Sequence, residues 1–336
     1  MSEILYIGSF PPPYGGVTVK NALLFEALSE HVDIGRLNLM DVKALKPRAV
    51  VTFLVAVLGR KGALVIGTSA DWRRRITDLM YLLNRKKIRR SLLFVMGGKV
   101  PEDAKYIRRM GCYKRMYVET ESMREAFEAA GAQNVSVYPN CRKRPAAPCR
   151  VRKTVGGVRV VFFSLVAVDK GARLVLDAAG ILSNIEFHFY GRVEPTFEQE
   201  FAERVEGLGN VSYHGVFDSV KGDVLAELNQ YDLHVLPTMC PNEGVPGVIV
   251  ETKLAAVPTV ASARGYNAEL IEDGVDGVLT HEDSAREIAG IIGSLAEEPA
   301  RVDFMKAAAL ESVERFYVDR YLSWIVSDMP EGAVMK

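Results

Sequence analysis

Short runs of β-branched and aromatic residues alternate with amphipathic helical stretches along this chain, break off once at a proline-rich basic segment, and then resume. That rhythm constrains the fold more than any single motif does. Strands joined through helices pair in parallel, so the chain must build α/β sheets. In the first half, strands are expected at ILYIGS (4–9), ALVIGT (63–68), LLFVM (92–96), RMYVE (115–119) and VSVYP (135–139). Helices are expected at VTVKNALLFEALSE, DWRRRITDLMYLLNRKKI (71–88) and ESMREAFEAAG. The segment PNCRKRPAAPCRVRKTVGG (139–157), with its three prolines, basic cluster and glycine pair, has the composition of a linker.

The second half restarts with VRVVFFS (158–164) and continues through strands expected at 185–191, 211–215, 232–237 and 258–262. At 336 residues the chain is too long for one compact core and suits two domains of roughly 150 residues. We expect an N-terminal Rossmann-like domain over 1–145, a linker over 146–157 and a C-terminal Rossmann-like domain over 158–315. Open parallel sheets bind ligands at the carboxyl ends of their strands, so two such domains are expected to face a cleft.

Composition excludes disordered, collagenous and disulfide-stapled chains: 49% of residues are hydrophobic, 25% are charged, and mean hydropathy is +0.06. Cys112, Cys141, Cys149 and Cys240 form no C-x-x-C pair and suit structural thiols in a reducing compartment. The N-terminus lacks the marks of a signal peptide, and no apolar run reaches the roughly 18 residues of a membrane span. VVTFLVAVLG (50–59) suits a buried helix instead, and the expected location is cytoplasmic. The net charge of zero conceals a split: residues 1–150 hold 26 basic and 13 acidic residues, the remainder 16 and 29. The first half is therefore expected to face something anionic.

DLHVLPTMCPNEGVPGVIVETKLAAVPTVASARGYNAELIEDGVDGVL (232–279) carries the most chemistry. A strand ends near Pro237, a loop follows, and a helix begins near Pro246. The backbone N–H groups of Gly247, Val248 and Ile249 would form its positive end, a seat for a diphosphate. Glu243 in the loop and Glu251 one turn into the helix could accept hydrogen bonds from sugar hydroxyls. E-G-V-P-G-V-I-V-E resembles the E-x7-E signature of retaining glycosyltransferase family 4, and A-A-V-P-T-V-A-S and L-I-E-D-G-V-D-G-V-L resemble its continuation. The resemblance spans nearly the whole chain, most strongly 158–280. It implies the GT-B fold, in which two Rossmann-like domains face across a cleft, with a final helix at about 316–330 returning to the first domain.

By resemblance, Glu251 would hold the ribose of a nucleotide and Glu243 the hydroxyls of the donor sugar, with Gly244 and Val245 alongside. FFSLVAVDKGARLVLDAA (162–179) is similar to the family's G-R-x-x-x-x-K-G element, which makes Lys170 the cation beside the diphosphate. The family's glycine and arginine fall on Ser164 and Leu165, and Arg192 or Arg173 could replace the missing cation. The loop YIGSFPPPYGGVTVKN would bring Gly15, Gly16 and Val17 to the donor, and VSYHGVF would cradle the base with Gly215, Val216 and Phe217. Where many relatives have a histidine near C6 of the sugar, this chain has Met96, which points to a donor lacking the 6-hydroxyl. His214 suits a structural role at a strand end. No D-x-D sequence or histidine cluster suggests a metal, so no cofactor is expected besides the nucleotide diphosphate sugar.

Residues 71–93 interleave Arg73, Arg74, Arg75, Arg85, Lys86, Lys87, Arg89 and Arg90 with apolar residues, a pattern suited to an anionic membrane surface. Nothing resembles a nucleic-acid motif. A glycan or a polyprenyl-linked acceptor would fit such a location. Two other readings stay open at this point: a nucleotide-sugar epimerase of the same fold, and a non-catalytic glycosyltransferase-like binding partner.

Overall fold

The computed structural model describes residues 4–13, 15–219, 221–241 and 243–329. It divides into two compact units: one takes in the chain up to Arg144 together with Arg315 onward, the other is Pro145–Glu314.

In unit 1, β1 (Ile4–Gly8) leads into α1 (Gly16–Ser29) and β2 (Ile34–Asn38). The short α2 (Leu39–Lys43) and α3 (Pro47–Leu58) precede β3 (Ala63–Thr68). Next come α4 (Ala70–Leu83), α5 (Arg85–Ile88), β4 (Leu92–Val95) and α6 (Ala104–Met110). β5 (Arg115–Val118), α7 (Glu121–Ala129) and β6 (Val135–Val137) complete this stretch. The six strands pair in parallel in the order β2-β1-β3-β4-β5-β6. Every residue of β3 and β4 is buried, which explains their unbroken apolar runs. β2 was not expected. Its sequence IGRLN holds a glycine and an arginine, and only Ile34 and Leu37 are buried in this edge strand.

The single helix expected over 71–88 is broken at Asn84, whose backbone (φ −149°, ψ 62°) is not helical. The break is held by its side chain. Asn84 Oδ1 accepts the Lys87 N–H that opens α5, while Nδ2 donates to the carbonyls of Val57, Leu58 and Gly59 at 3.2, 3.1 and 3.0 Å. The stretch 50–59, expected as a buried helix, forms α3, but only Phe53 and Val57 of that helix are buried. Arg73 and Lys87 are corrected as well. Both are buried, the latter with its ammonium on the carbonyls of Gly59 and Lys61 at 3.1 and 2.7 Å.

Unit 2 repeats the plan. β7 (Arg159–Phe163), α8 (Ala172–Ile181), β8 (Glu186–Tyr190), α9 (Glu198–Gly207) and β9 (Val211–Tyr213) form one wing. α10 (Val224–Leu228), β10 (Leu233–Leu236), α11 (Gly247–Leu254), β11 (Thr259–Ser262), α12 (Asn267–Leu270) and β12 (Gly277–Thr280) form the other. α13 (Ala285–Glu297) and α14 (Pro299–Glu311) follow. The parallel order is β12-β11-β10-β7-β8-β9. The edge strand β12 was also missed, being four residues long and opened by a glycine.

The segment 146–157, expected as a linker, is fastened to unit 2. Lys306, 1% exposed, donates to Arg152 O, Thr154 Oγ1 and Asp232 Oδ1 at 3.1, 3.0 and 2.5 Å, and Thr154 N–H donates to Asp303 at 2.8 Å. The chain then re-enters unit 1 as α15 (Asp319–Ser327). Tyr321, Leu322 and Ile325 join the core around Leu24 and Leu28 of α1, and Asp328 accepts from Tyr117 Oη at 2.8 Å and Arg115 Nε at 3.0 Å. Pro330, the last residue of the expected helix, lies outside the described residues.

Candidate active site

β7 stands at the switch point of the second sheet, with β8 on one side and β10 on the other. The loops leaving β7 and β10 therefore part in opposite directions and leave a crevice at their carboxyl ends. Two contacts lock these loops together. Met239 N–H donates to Asp169 O at 2.7 Å, and Gly171 sits so close to β10 that a Cβ there would lie 2.3 Å from Pro237 O. Gly171 also has φ +82°, which favours glycine.

This close approach brings Lys170 and Glu243 together. Lys170 Nζ donates to Glu243 Oε2, and each side chain is 18% exposed. Thr238 Oγ1 donates to the same oxygen at 2.9 Å. Its own backbone is tied down: Ser262 Oγ donates to Thr238 O at 2.7 Å. Nothing in the sequence marked Thr238. We expect Gly171→Ala to lower Tm by about 5 °C or more, from a strained left-handed alanine and a sub-van der Waals contact. A melting curve within a degree of wild type would refute this account of the turn.

Pro246 is the N-cap of α11, and among the described residues no side-chain hydrogen bond caps the helix. Its opening N–H groups belong to Gly247, Val248 and Ile249, and Glu251 is half-buried one turn further on. Val245 and the side chain of Ile249 are buried, so at Ile249 only the backbone could meet a ligand; Gly244 is half-buried. The far end of α11 is held by Lys253, whose ammonium donates to Asp276 Oδ2 and, at 2.9 Å, to Ser312 Oγ. Asp276 also accepts Glu272 N–H at 2.9 Å. The D-G-V-D-G stretch thus anchors the helix from behind, a role that sequence reading did not assign.

On the other wing, Gly191 (φ +135°) passes so near Ser164 that a Cβ would lie 1.7 Å from its carbonyl oxygen. Gly191 N–H donates to Gly215 O at 2.8 Å, joining the ends of β8 and β9. Arg192 is exposed beyond this turn, and its carbonyl accepts Val166 N–H at 2.9 Å. Arg173, the other candidate for the missing cation, is committed elsewhere: it makes a two-pronged pair with Glu200 at 2.7 and 2.6 Å over the Phe197 ring. Val216 is exposed, while Phe217 packs on Phe163 and Tyr190. His214 Nε2 lies 3.0 Å from His188 Nδ1 and stacks on Tyr190, a structural placement. His234 is fully buried beside Thr259, and burial pushes it down to about 3, so it is neutral.

Gly15, Gly16, Val17 and Met96 belong to unit 1. Gly15 caps α1 in extended conformation, and no atom lies within 4 Å of a Cβ built on either glycine. Among the described residues nothing requires glycine there; the space is open. Met96 is 3% exposed and part of the core of unit 1. Sequence reading missed a buried pair nearby: Lys20 Nζ to Glu119 Oε1 at 2.6 Å, with Glu119 Oε2 accepting Gly97 N–H at 3.0 Å. Among the described residues no group of three or more His, Cys, Asp or Glu is placed to hold a metal ion.

Residues 157–298 match the family described as "Glycosyl transferases group 1". The matched span lies within the second unit. Lys170, Glu243, Glu251, Arg192 and the 215–217 turn all lie within the matched span. No curated protein matches the chain. Among solved structures, Anabaena HepE in complex with UDP superposes with a TM-score of 0.72 at 18% identity, over 97% of this chain and 99% of that one. Sucrose-phosphate synthase from Thermosynechococcus elongatus gives 0.68 at 14% identity, over 96% and 97%. The pneumococcal O-GlcNAc transferase GtfA, in complex with UDP and GlcNAc, gives 0.63 at 16% identity, over 83% of this chain and 59% of that one. The fold is GT-B, as the resemblance implied.

Proposed function

We propose that this chain is a retaining, metal-independent glycosyltransferase of family 4 that moves a sugar from a nucleotide diphosphate carrier to a glycan or lipid-linked acceptor. The observation that carries the reading is the cluster of Lys170, Glu243 and Thr238 at the switch point, in front of an uncapped helix start. Support also comes from HepE, crystallised with UDP and with UDP-glucose.

In this reading the diphosphate occupies the N–H groups opening α11, and its charge draws Lys170 away from Glu243. Glu243 is then free to accept from the sugar hydroxyls while Thr238 keeps its carboxylate aimed. Glu251 takes the ribose hydroxyls, Arg192 is the second cation, and the turn at Gly215, Val216 and Phe217 meets the base. As the C1–O bond to the carrier breaks, Lys170 stabilises the charge on the leaving phosphate. That phosphate takes the proton of the acceptor hydroxyl as its oxygen bonds to C1. Lys170 and the helix start supply the positive charge that a divalent cation would otherwise bring. We place the enzyme in the cytoplasm; among the described residues no helix is long and apolar enough to cross a membrane.

A donor at about 100 times its Kd stabilises the folded state by about 2.7 kcal/mol, so the matching nucleotide sugar should raise Tm by several degrees. If no member of a nucleotide-sugar panel moves Tm, the reading fails. Conversion of the donor sugar without any acceptor would favour the epimerase, and donor binding without turnover on any acceptor the non-catalytic partner.

A further inference from the structure

Helix α3, PRAVVTFLVAVL, is apolar on nearly every side yet buried on only one. Phe53 and Val57 pack inward, and Phe53 meets the Trp72 ring edge-on at 5.8 Å. On the opposite side Val51, Leu54, Val55 and Leu58 form a helical stripe, 60%, 44%, 53% and 42% exposed. The stripe continues at the helix end. Asn84 bonds the last carbonyls of α3, so the end of α4 that carries the exposed Leu82 and Leu83 meets the end of α3 that carries Leu58. Before the helix, Leu45 is 77% exposed and has φ +53°, a conformation unusual for leucine. An apolar residue held in a strained conformation and aimed at solvent needs an occupant to explain it.

The charges around this face state what the occupant is. The chain has no acidic residue over 42–70 or over 79–101. Arg48, Arg60 and Lys61 at the ends of α3, with Arg85, Lys86 and Arg89 beyond Leu83, are all exposed. Asp41, the nearest carboxylate before α3, is bound to Lys46 at 2.6 Å. A second copy docked face to face would oppose like charges around its rim. An apolar stripe flanked by exposed cations is complementary to anionic headgroups above acyl chains. We propose that α3 lies in the interface of an anionic lipid surface, with its outer stripe inserted and the flanking Lys and Arg on the headgroups. The surface is thus centred on α3 rather than on residues 71–93. There Arg73 and Lys87 are buried, and Arg74 is paired with Asp103 at 2.6 Å.

The test is co-sedimentation of the full chain with vesicles of phosphatidylglycerol and phosphatidylcholine at low ionic strength, beside vesicles of phosphatidylcholine alone. It needs neither donor nor acceptor, so its outcome is separate from that of the transferase reading. We expect binding to the anionic vesicles to fall at least about tenfold in Leu54→Asp/Leu58→Asp, and by a similar factor in Arg85→Glu/Lys86→Glu. The milder Val51→Ser/Val55→Ser should also weaken binding, with Tm unchanged because both positions face outward. Any of three results overturns the proposal. The wild type stays in the supernatant, it binds neutral vesicles equally well, or the Leu54→Asp/Leu58→Asp variant binds undiminished. Sedimentation equilibrium showing a dimer that this variant dissolves would give the face to a second copy instead.

Discussion

Lys170→Ala will lower kcat/KM for sugar transfer by about 10²–10³-fold, with Tm moved by no more than a few degrees. The two halves of this expectation have different causes. Lys170 is still 18% exposed, so the folded state loses one half-solvated ion pair. The transition state loses a preorganised cation where the leaving diphosphate gathers charge. Glu243→Ala should cost a comparable factor, since the sugar hydroxyls lose their acceptor. The double variant should cost much less than the product of the two, because the side chains act as a unit. Glu243→Gln keeps the acceptor oxygen but loses the charge that holds Lys170, and it should fall in between. Steady-state kinetics on the four proteins decide the matter. Lys170→Ala activity within about fivefold of wild type would remove the mechanism, whatever the fold.

Asp276→Ala will destabilise unit 2 by about 3–5 kcal/mol, without touching any residue assigned to the donor. The Lys253 ammonium, 1% exposed, would lose its carboxylate partner, and Glu272 N–H would lose its acceptor. Asp276→Asn, which can still accept that N–H, should cost less. In a unit of this size the alanine loss corresponds to roughly 10 °C in Tm. The choice of probe matters. Trp72 and Trp324 both belong to unit 1, so tryptophan fluorescence would miss the transition. Hydrogen exchange of α11 or calorimetry resolves it, and an unfolding transition of unit 2 within about 1 kcal/mol of wild type would show the pair to be dispensable. Activity should fall in step with the folded fraction, which separates this variant from Lys170→Ala.

Much of this molecule was legible before any coordinates. The central strands β1, β3, β4, β7, β8 and β10 are short apolar runs between helical patterns, and burial on both faces leaves that mark in composition. The E-G-V-P-G stretch, Lys170 and the turn at Gly215 were readable because each couples a strand end to local backbone chemistry within a few residues. β2 and β12 were not, since an edge strand buries little and so need not be apolar. Thr238 was silent because a threonine after a strand carries no signal until a carboxylate is placed beside it. The buried pairs Lys20–Glu119, Lys253–Asp276 and Lys306–Asp232 join residues 99, 23 and 74 positions apart. Each member alone looks like an ordinary surface charge.

The sequence by itself determined the α/β class, the doubling of the plan and the residue types at the carboxyl edge of the second sheet, because these follow from periodicity and local motifs. Only the tertiary structure decided which charges are interior, which cation remains open beside the site, and that α3 turns an apolar face outward. Burial belongs to how elements pack, and identical apolar residues are written the same way whether a helix presents them to a core or to solvent.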